Sequence, residues 1–409
     1  MRNDERRHTF EFINGLRGLA ALQVVALHYC SSFLPRLARA AQFAHYDLET
    51  RLDHSPAFFM IDGYSAVYLF FVMSGFVLAP SFLASNSGIG MQTAKRFTRL
   101  YLPVVGALAF ALVLILLLPS AKESVAIQGH SGWVHTLSEN PLTVVAIVRE
   151  FALNSMLLSY NGTSIFNHLL TLPPVTQSLD APLWTIHFEF WGSVLVILVC
   201  AAYRRLPRPI FWFLFAVLLV CTGYTYFSLF LVGFALFTAR ERLMRRSGSF
   251  YPAAGFAMVA ISIVVSSSVH LEQFIPVADA MNRFAGAALE NPEFLQRQLC
   301  AIMLFVGVIL IGPYRRWLES KWALWLGRIS FSLYLVHFPI LFTATFLLFK
   351  VLATHLSYGA AALSASAIAL PITLFVAHYF EKYIDRGAIS FSRRIEKVRE
   401  PAAMLPLER

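Results

Sequence analysis

Apolar runs long enough to span a bilayer recur from residue 12 to residue 380 of this 409-residue chain, separated by short polar segments. A helix needs about 20 mostly apolar residues to cross the hydrocarbon core. The pattern therefore predicts an all-α fold: a polytopic transmembrane helical bundle of about ten spans. They fall near residues 10–34, 64–84, 99–119, 181–202, 209–223, 225–239, 251–269, 295–312, 326–349 and 357–380. The fifth and sixth are short and form a tight hairpin about Gly223 and Tyr224. The stretch 143–160 is apolar as well, but it carries Arg149 and Glu150 side by side.

The basic residues orient the bundle, because cytoplasmic loops hold an excess of Lys and Arg. With the N-terminus in the cytoplasm and 143–160 not crossing, 23 of the 33 Lys and Arg fall on cytoplasmic segments, seven on the opposite side, and Arg17, Arg297 and Arg328 within helices. Counting 143–160 as a span reverses every later loop. It is expected instead to be an interfacial or re-entrant segment on the outer side, and both termini are expected to be cytoplasmic. Residues 1–381 then form one membrane domain, and residues 382–409 a short charged cytoplasmic tail.

Composition sharpens this picture. The chain is 57% hydrophobic and 14% charged, with a mean hydropathy of +0.62. Soluble domains carry about 25% charged residues. The net charge of +10 does not point to nucleic acid, because the basic residues sit in short clusters between apolar runs. Cys30, Cys200, Cys221 and Cys300 lie inside or at the ends of apolar runs, and none forms a CxxC pair. No metal site or disulfide framework is expected. Arg2, Arg6 and Arg7 before Leu19–Leu27, with Ala38-Arg39-Ala40 beyond, have the outline of a leader peptide. Arg17 interrupts that run, and the later spans favour a retained first helix.

Ionisable residues inside a span are candidates for function. The first helix has two, Arg17 and His28, eleven residues apart. At 100° per residue both project from nearly one face, about 16 Å apart along the axis. A long, thin donor with phosphates at one end and a reactive group at the other suits that spacing. Coenzyme A is such a molecule: an arginine clamps phosphate, and a neutral imidazole takes a proton from an attacking hydroxyl. The plainer alternatives are an interhelical hydrogen bond for the histidine and a snorkelling arginine.

Phe12-Ile13-Asn14-Gly15-Leu16-Arg17-Gly18-Leu19-Ala20-Ala21-Leu22, followed by Val24-Val25-Ala26-Leu27-His28, resembles the opening motif of the acyltransferase-3 family, membrane O-acyltransferases of surface polysaccharides. Four further segments match it in order. They are Leu69–Phe76, Lys95–Pro103, Ala181–Glu189 with its Pro182-Leu183-Trp184, and Leu326–Pro339; Glu381-Lys382 sits where the family often ends its last span. Asn14, Tyr68 and Phe190 stand where the family commonly has acidic residues, so Glu189 is the best remaining carboxylate.

The resemblance implies a membrane O-acyltransferase of the bacterial inner membrane. Acyl-CoA, with acetyl-CoA the expected donor, would acylate a hydroxyl of an extracytoplasmic glycan; membrane lipids are the other expected partners. His28 is the expected base, with Glu189 orienting it or holding the acceptor hydroxyl. Arg17, Arg99, Arg96 and Lys95 are expected at the donor phosphates, although Lys95 and Arg96 also fit ordinary positive-inside charge. Trp184, Tyr334 and His337 are candidate substrate contacts; a belt tryptophan and interhelical hydrogen bonds are their plainer readings. The outer loops at 35–63, 120–180 and 270–294 are candidates for binding the acceptor. The rival function is a transporter or flippase using the same Arg/His/Glu set as a pathway.

Overall fold

Each expected span has a helical counterpart in the computed structural model, which describes residues 10–245, 250–267 and 292–397. Among these residues, ten helices run fourteen residues or longer. They are α1 (Glu11–Phe33), α2 (Gly63–Ala84), α3 (Ile89–Leu117), α4 (Trp184–Arg205), α5 (Arg208–Cys221), α6 (Phe227–Arg245), α7 (Phe250–Ser267), α8 (Pro292–Leu310), α9 (Lys321–Ile340) and α10 (Tyr358–Phe380). No strand forms among the described residues. The N-terminal Arg2, Arg6 and Arg7, most of the 270–294 loop and the end of the tail lie outside them.

Local chemistry explains the helix starts. The Asp62 side chain accepts the Ser65 amide at the head of α2, and the Ser320 hydroxyl accepts the Ala323 amide at the head of α9. Pro80, Pro103, Pro339 and Pro371 lie inside helices. Bundled membrane helices tolerate this because neighbours satisfy the freed carbonyls.

Six helical stretches are long and apolar enough to cross a membrane: Gly63–Ala84, Ile89–Leu117, Ala181–Arg205, Glu293–Leu310, Lys321–Leu352 and Tyr358–Arg394. Arg208–Cys221 and Tyr251–Ser267 are shorter apolar helices. α1 carries Glu11, Asn14, Arg17 and His28 along its 23 residues, and α6 ends in Arg240, Glu241, Arg242 and Arg245. Large apolar side chains face outward: Leu117, Leu363 and Phe213 are 74%, 71% and 68% exposed. That outer face suits lipid rather than water.

The contacts fix the helix directions. α1 and α2 are antiparallel, with Phe10 against Phe76 at one end and Gly63 against Leu27 at the other. α4, α6 and α8 all run parallel to α2. The pairs are Ser74–Glu189 and Ala79–Cys200, Phe71–Phe230 and Phe76–Phe237, and Tyr68–Phe294 and Phe76–Phe305. α7 is antiparallel to α8, through Gly255–Gly307 and Ser262–Cys300. α10 is antiparallel to α1, with the Tyr358 hydroxyl on the Phe33 carbonyl and Tyr29 at Thr373.

α1 packs most extensively against α9. Glycine makes the approach possible. A Cβ at Gly18 would lie 2.6 Å from the Gly327 nitrogen, and one at Gly327 would lie 2.0 Å from the Asn14 carbonyl oxygen. Small residues at such crossings let helix backbones touch. The two helices are parallel, and the register offset of 309 residues between Gly18 and Gly327 recurs between His28 and His337.

The chain between α3 and α4 contributes a short helix, Val144–Arg149, continued by π-helical turns Glu150–Leu158. Together these fifteen residues rise only about 22 Å. Val144 and Val145 are exposed, whereas Glu150, Asn154 and Ser155 are buried.

Candidate active site

Two groups of side chains stand out, one toward each end of α1. The first surrounds a cavity of about 590 Å³. Arg17 from α1, Ser74 from α2, Lys95, Arg96 and Arg99 from α3, Glu189 from α4 and Tyr334 from α9 all line it. α3 begins at Ile89, ten residues before the expected span at 99, so its three basic residues stand on the helix rather than in a loop. Arg96 forms an ion pair with Glu189, and its Nε donates to Ser193 Oγ at 2.8 Å. Ser74 Oγ donates to the same Glu189 carboxylate at 2.8 Å. Arg17 and Arg99 make no hydrogen bond among the described residues, so their guanidinium donors are available to an anion in the cavity.

The second group is built on the α1–α9 register. His28 Nδ1 and His337 Nε2 are 2.8 Å apart, with the rings 3° from parallel. His337 Nδ1 faces two carbonyl oxygens, Tyr334 at 2.8 Å and Leu333 at 3.1 Å. Carbonyls only accept, so His337 carries its proton on Nδ1 and leaves Nε2 bare. The proton between the rings therefore belongs to His28 Nδ1, and His28 Nε2 presents a lone pair. Tautomers follow from the hydrogen-bond network in this way. Nε2 has no hydrogen-bond partner among the described residues. Trp133 stacks on His28 at 15°, with ring centroids 5.5 Å apart, and Phe338 meets it edge-on at 5.7 Å. Trp133 is held there because Ser131 caps its helix and donates to the Ser31 carbonyl of α1 at 2.7 Å. His28 and Trp133 are both half-buried, whereas His337 is fully buried.

The two groups meet at Tyr334. It lines the cavity, and its hydroxyl lies 2.7 Å from Thr185 Oγ1 and donates to the Pro182 carbonyl at 2.5 Å. Its ring is 5.8 Å from that of His337. His28 and His337 are not among the cavity's lining residues, which end here at Thr185 and Tyr334.

Several expectations need correction. Glu189 does not orient His28; its carboxylate is taken by Arg96 and Ser74. The early start of α3 brings Arg96 into reach of Glu189. The side chain hydrogen-bonded to His28 is His337 instead. Trp184 lines no part of the cavity and packs against Tyr226 and Phe188. His187, beside it in sequence, ties down the loop through the Met156 carbonyl and the Ile165 amide. Trp133 was not singled out; only its place in the 120–180 loop hinted at it. Among the described residues, no three His, Cys, Asp or Glu gather as metal ligands would.

Comparison with known proteins places nearly the whole chain. The family model described as the acyltransferase domain, Acyl_transf_3, matches residues 10–378. The chain belongs to the acyltransferase-3 family. It is similar to the O-acetyltransferase PaAT-1 of Phomopsis amygdali, at 24% identity over 440 residues covering 94% of this chain and 84% of that protein. No solved structure matches it. The protein is thus an acyltransferase, and the fold puts Arg17 and His28 of the family's opening motif on the two groups just described.

Proposed function

We propose that this acyltransferase crosses the membrane ten times, takes an acyl group from acyl-CoA on the cytoplasmic side, and transfers it to a hydroxyl presented from the other side. Acetyl-CoA is the proposed donor and a glycan the proposed acceptor. The helix directions given above are consistent with ten crossings with 144–158 returning to the side it left, and the distribution of Lys and Arg supports cytoplasmic termini.

The observation that carries the reading is the fixed tautomer of His28. Its Nε2 is the one basic lone pair of the pair left free, about 16 Å along α1 from Arg17. The donor's phosphates bind Arg17 and Arg99, with Arg96 held in place by Glu189 and Lys95 nearby. The pantetheine arm runs along α1 toward the histidines. For the thioester to arrive, the Tyr334 hydroxyl must leave Thr185 and the Pro182 carbonyl. The acceptor hydroxyl then gives its proton to His28 Nε2 while its oxygen attacks the thioester carbonyl. The tetrahedral intermediate collapses, the C–S bond breaks, and the thiolate takes the proton back from His28. The products are the ester and free CoA thiol. While His28 is positive, its Nδ1–H donates a charge-assisted hydrogen bond to neutral His337. Trp133, half-buried beside the histidine, offers an aromatic face on which a sugar ring can stack.

The test is acyl transfer by the purified protein, together with mass spectrometry of surface glycans from cells carrying or lacking the gene. His28→Ala is expected to abolish transfer while acyl-CoA still binds. Normal transfer by this variant refutes the assignment of the base.

A further inference from the structure

The C-terminal segment reads as a solvated tail, but the structure gives it a buried polar face. α10 continues without a break through π-helical turns Glu381–Asp385 into a last helix, Arg386–Lys397. The apolar stretch with this extension, Tyr358–Arg394, is 37 residues, or about 55 Å. A bilayer core is about 30 Å thick, so the last turns project beyond it. Their buried positions are Glu381, Asp385, Ala388 and Ser392, spaced as one helix face. Three of the four are polar, and this face packs along α3.

The polar face borders the donor cavity. Ser392 lines it directly. Asp385 lies near enough to Arg99 and Arg17 for its charge to act on both. Arg393 lies near enough to Arg99 for their like charges to oppose one another. Glu381 does not neutralise the cluster, because Arg386 holds it through Nε at 2.7 Å and Nη2 at 3.0 Å. Arg17, Lys95, Arg96 and Arg99 line this end of the cavity, and Arg393 lies near Arg99; among the described residues, Glu189 and Asp385 are the carboxylates that act on these arginines. An excess of cations held close together, two of them without hydrogen-bond partners, suits a polyanion.

We propose that the last helix is a wall of the donor site, with Ser392 on its floor and Arg393 binding the nucleotide phosphates together with Arg99. This rests on the acyl-CoA reading above and assigns it residues that the opening-helix motif does not contain. Asp385 positions Arg99 and Arg17 in the absence of donor. The catalytic domain therefore extends to at least Arg393, and the boundary expected at 381 falls inside a continuous helix.

The test uses the full-length purified protein with acetyl-CoA and with its dephosphorylated analogue lacking the 3′-phosphate. Arg393→Ala is expected to raise KM for acetyl-CoA about five- to tenfold with kcat within twofold, and to narrow the preference over the analogue. Arg393→Lys should keep most of the affinity, and Arg393→Glu should lose more than Arg393→Ala. Arg394→Ala, on the same helix, should leave KM unchanged. If Arg99→Ala raises KM and Arg393→Ala does not, the helix assignment is overturned while the donor reading stands. If neither variant changes KM for acetyl-CoA, the donor reading falls and this proposal with it. If Arg393→Ala does not fold, Ser392→Phe tests the same wall: a ring projecting into the cavity should raise KM, and an unchanged KM refutes the placement.

Discussion

Replacing His337 by alanine isolates the step on which the proposed chemistry depends. The substitution removes the acceptor of the 2.8 Å bond from His28 Nδ1 and leaves that N–H facing Phe338 and Trp133. Two losses follow. The proton is no longer confined to Nδ1, so a fraction of the neutral ring presents N–H rather than a lone pair to the acceptor. The imidazolium formed during transfer also loses its hydrogen bond. Bonds to charged groups contribute about 1.5–3 kcal/mol. At 1.36 kcal/mol per decade of rate, kcat should fall about 10- to 150-fold. KM for the donor should hardly move, because Arg17 and Arg99 are untouched. His337→Gln offers a side-chain oxygen to the same N–H and should recover part of the loss. The assay is single-turnover transfer from radiolabelled acetyl-CoA across pH 5.5 to 9. A kcat within twofold of the parent for His337→Ala shows that the fixed tautomer contributes nothing. A folded His337→Ala protein as inactive as His28→Ala, with no rescue by glutamine, shows that His337 reacts directly rather than positioning its neighbour.

Further outcomes follow from the same geometry. Trp133→Ala removes the ring stacked on His28 and should raise KM for the acceptor about three- to tenfold while leaving KM for acyl-CoA unchanged; equal effects on both substrates refute an acceptor-side role. Tyr334→Phe removes the hydroxyl that bonds Thr185 and the Pro182 carbonyl, so thiol release from acyl-CoA without acceptor should rise, and unchanged release shows that Tyr334 does not bar the way. Asp180 and Glu150 are buried near one another, and neither oxygen of Asp180 has a hydrogen-bond partner; burial first, and then the neighbouring Glu150, holds the Asp180 carboxyl well above its ordinary range. Burial raises Glu150 as well. A raised folded-state value means that the folded protein binds more protons than the unfolded chain, so this contribution is complete below the unfolded value and is lost as pH rises through the folded one. Asp180→Asn should therefore flatten the decline of Tm between pH 5.5 and pH 8, and an unchanged slope refutes that account.

The helical fold was legible because apolar run length is a one-dimensional signal. Boundaries failed where a basic segment belongs to a helix. Lys95, Arg96 and Arg99 look like loop charge until α4 supplies Glu189 and Ser193 to satisfy Arg96. Periodicity along one helix relates Arg17 to His28, but it says nothing of what faces either of them. His337 was visible only as a candidate substrate contact, since its role depends on an offset between two distant helices. Trp133 was hidden for a similar reason: Ser131 places it through a single bond to the Ser31 carbonyl. The buried face of the last helix was not legible because it is polar, and a polar stripe in a sequence carries the same signature as a solvated one.

The glycines of α1 and α9 connect these levels. Gly18 on one helix and Gly327 on the other bring the backbones together where any side chain would collide, and Gly15 makes a similar approach just ahead of α9, where a Cβ would lie 2.0 Å from the Leu318 carbonyl oxygen. Parallel helices that touch there cannot slide without a clash, so the offset set at Gly18 and Gly327 is carried ten residues, or about 15 Å, to His28 and His337. The same rotation that turns Gly18 toward α9 leaves Arg17, its neighbour, facing the donor cavity. On the proposed mechanism one helix contact would set both binding and base geometry. The opening motif would then act as a single mechanical unit: the arginine would hold the donor, the glycine beside it fixes the register, and the histidine three turns on meets His337 because of that register.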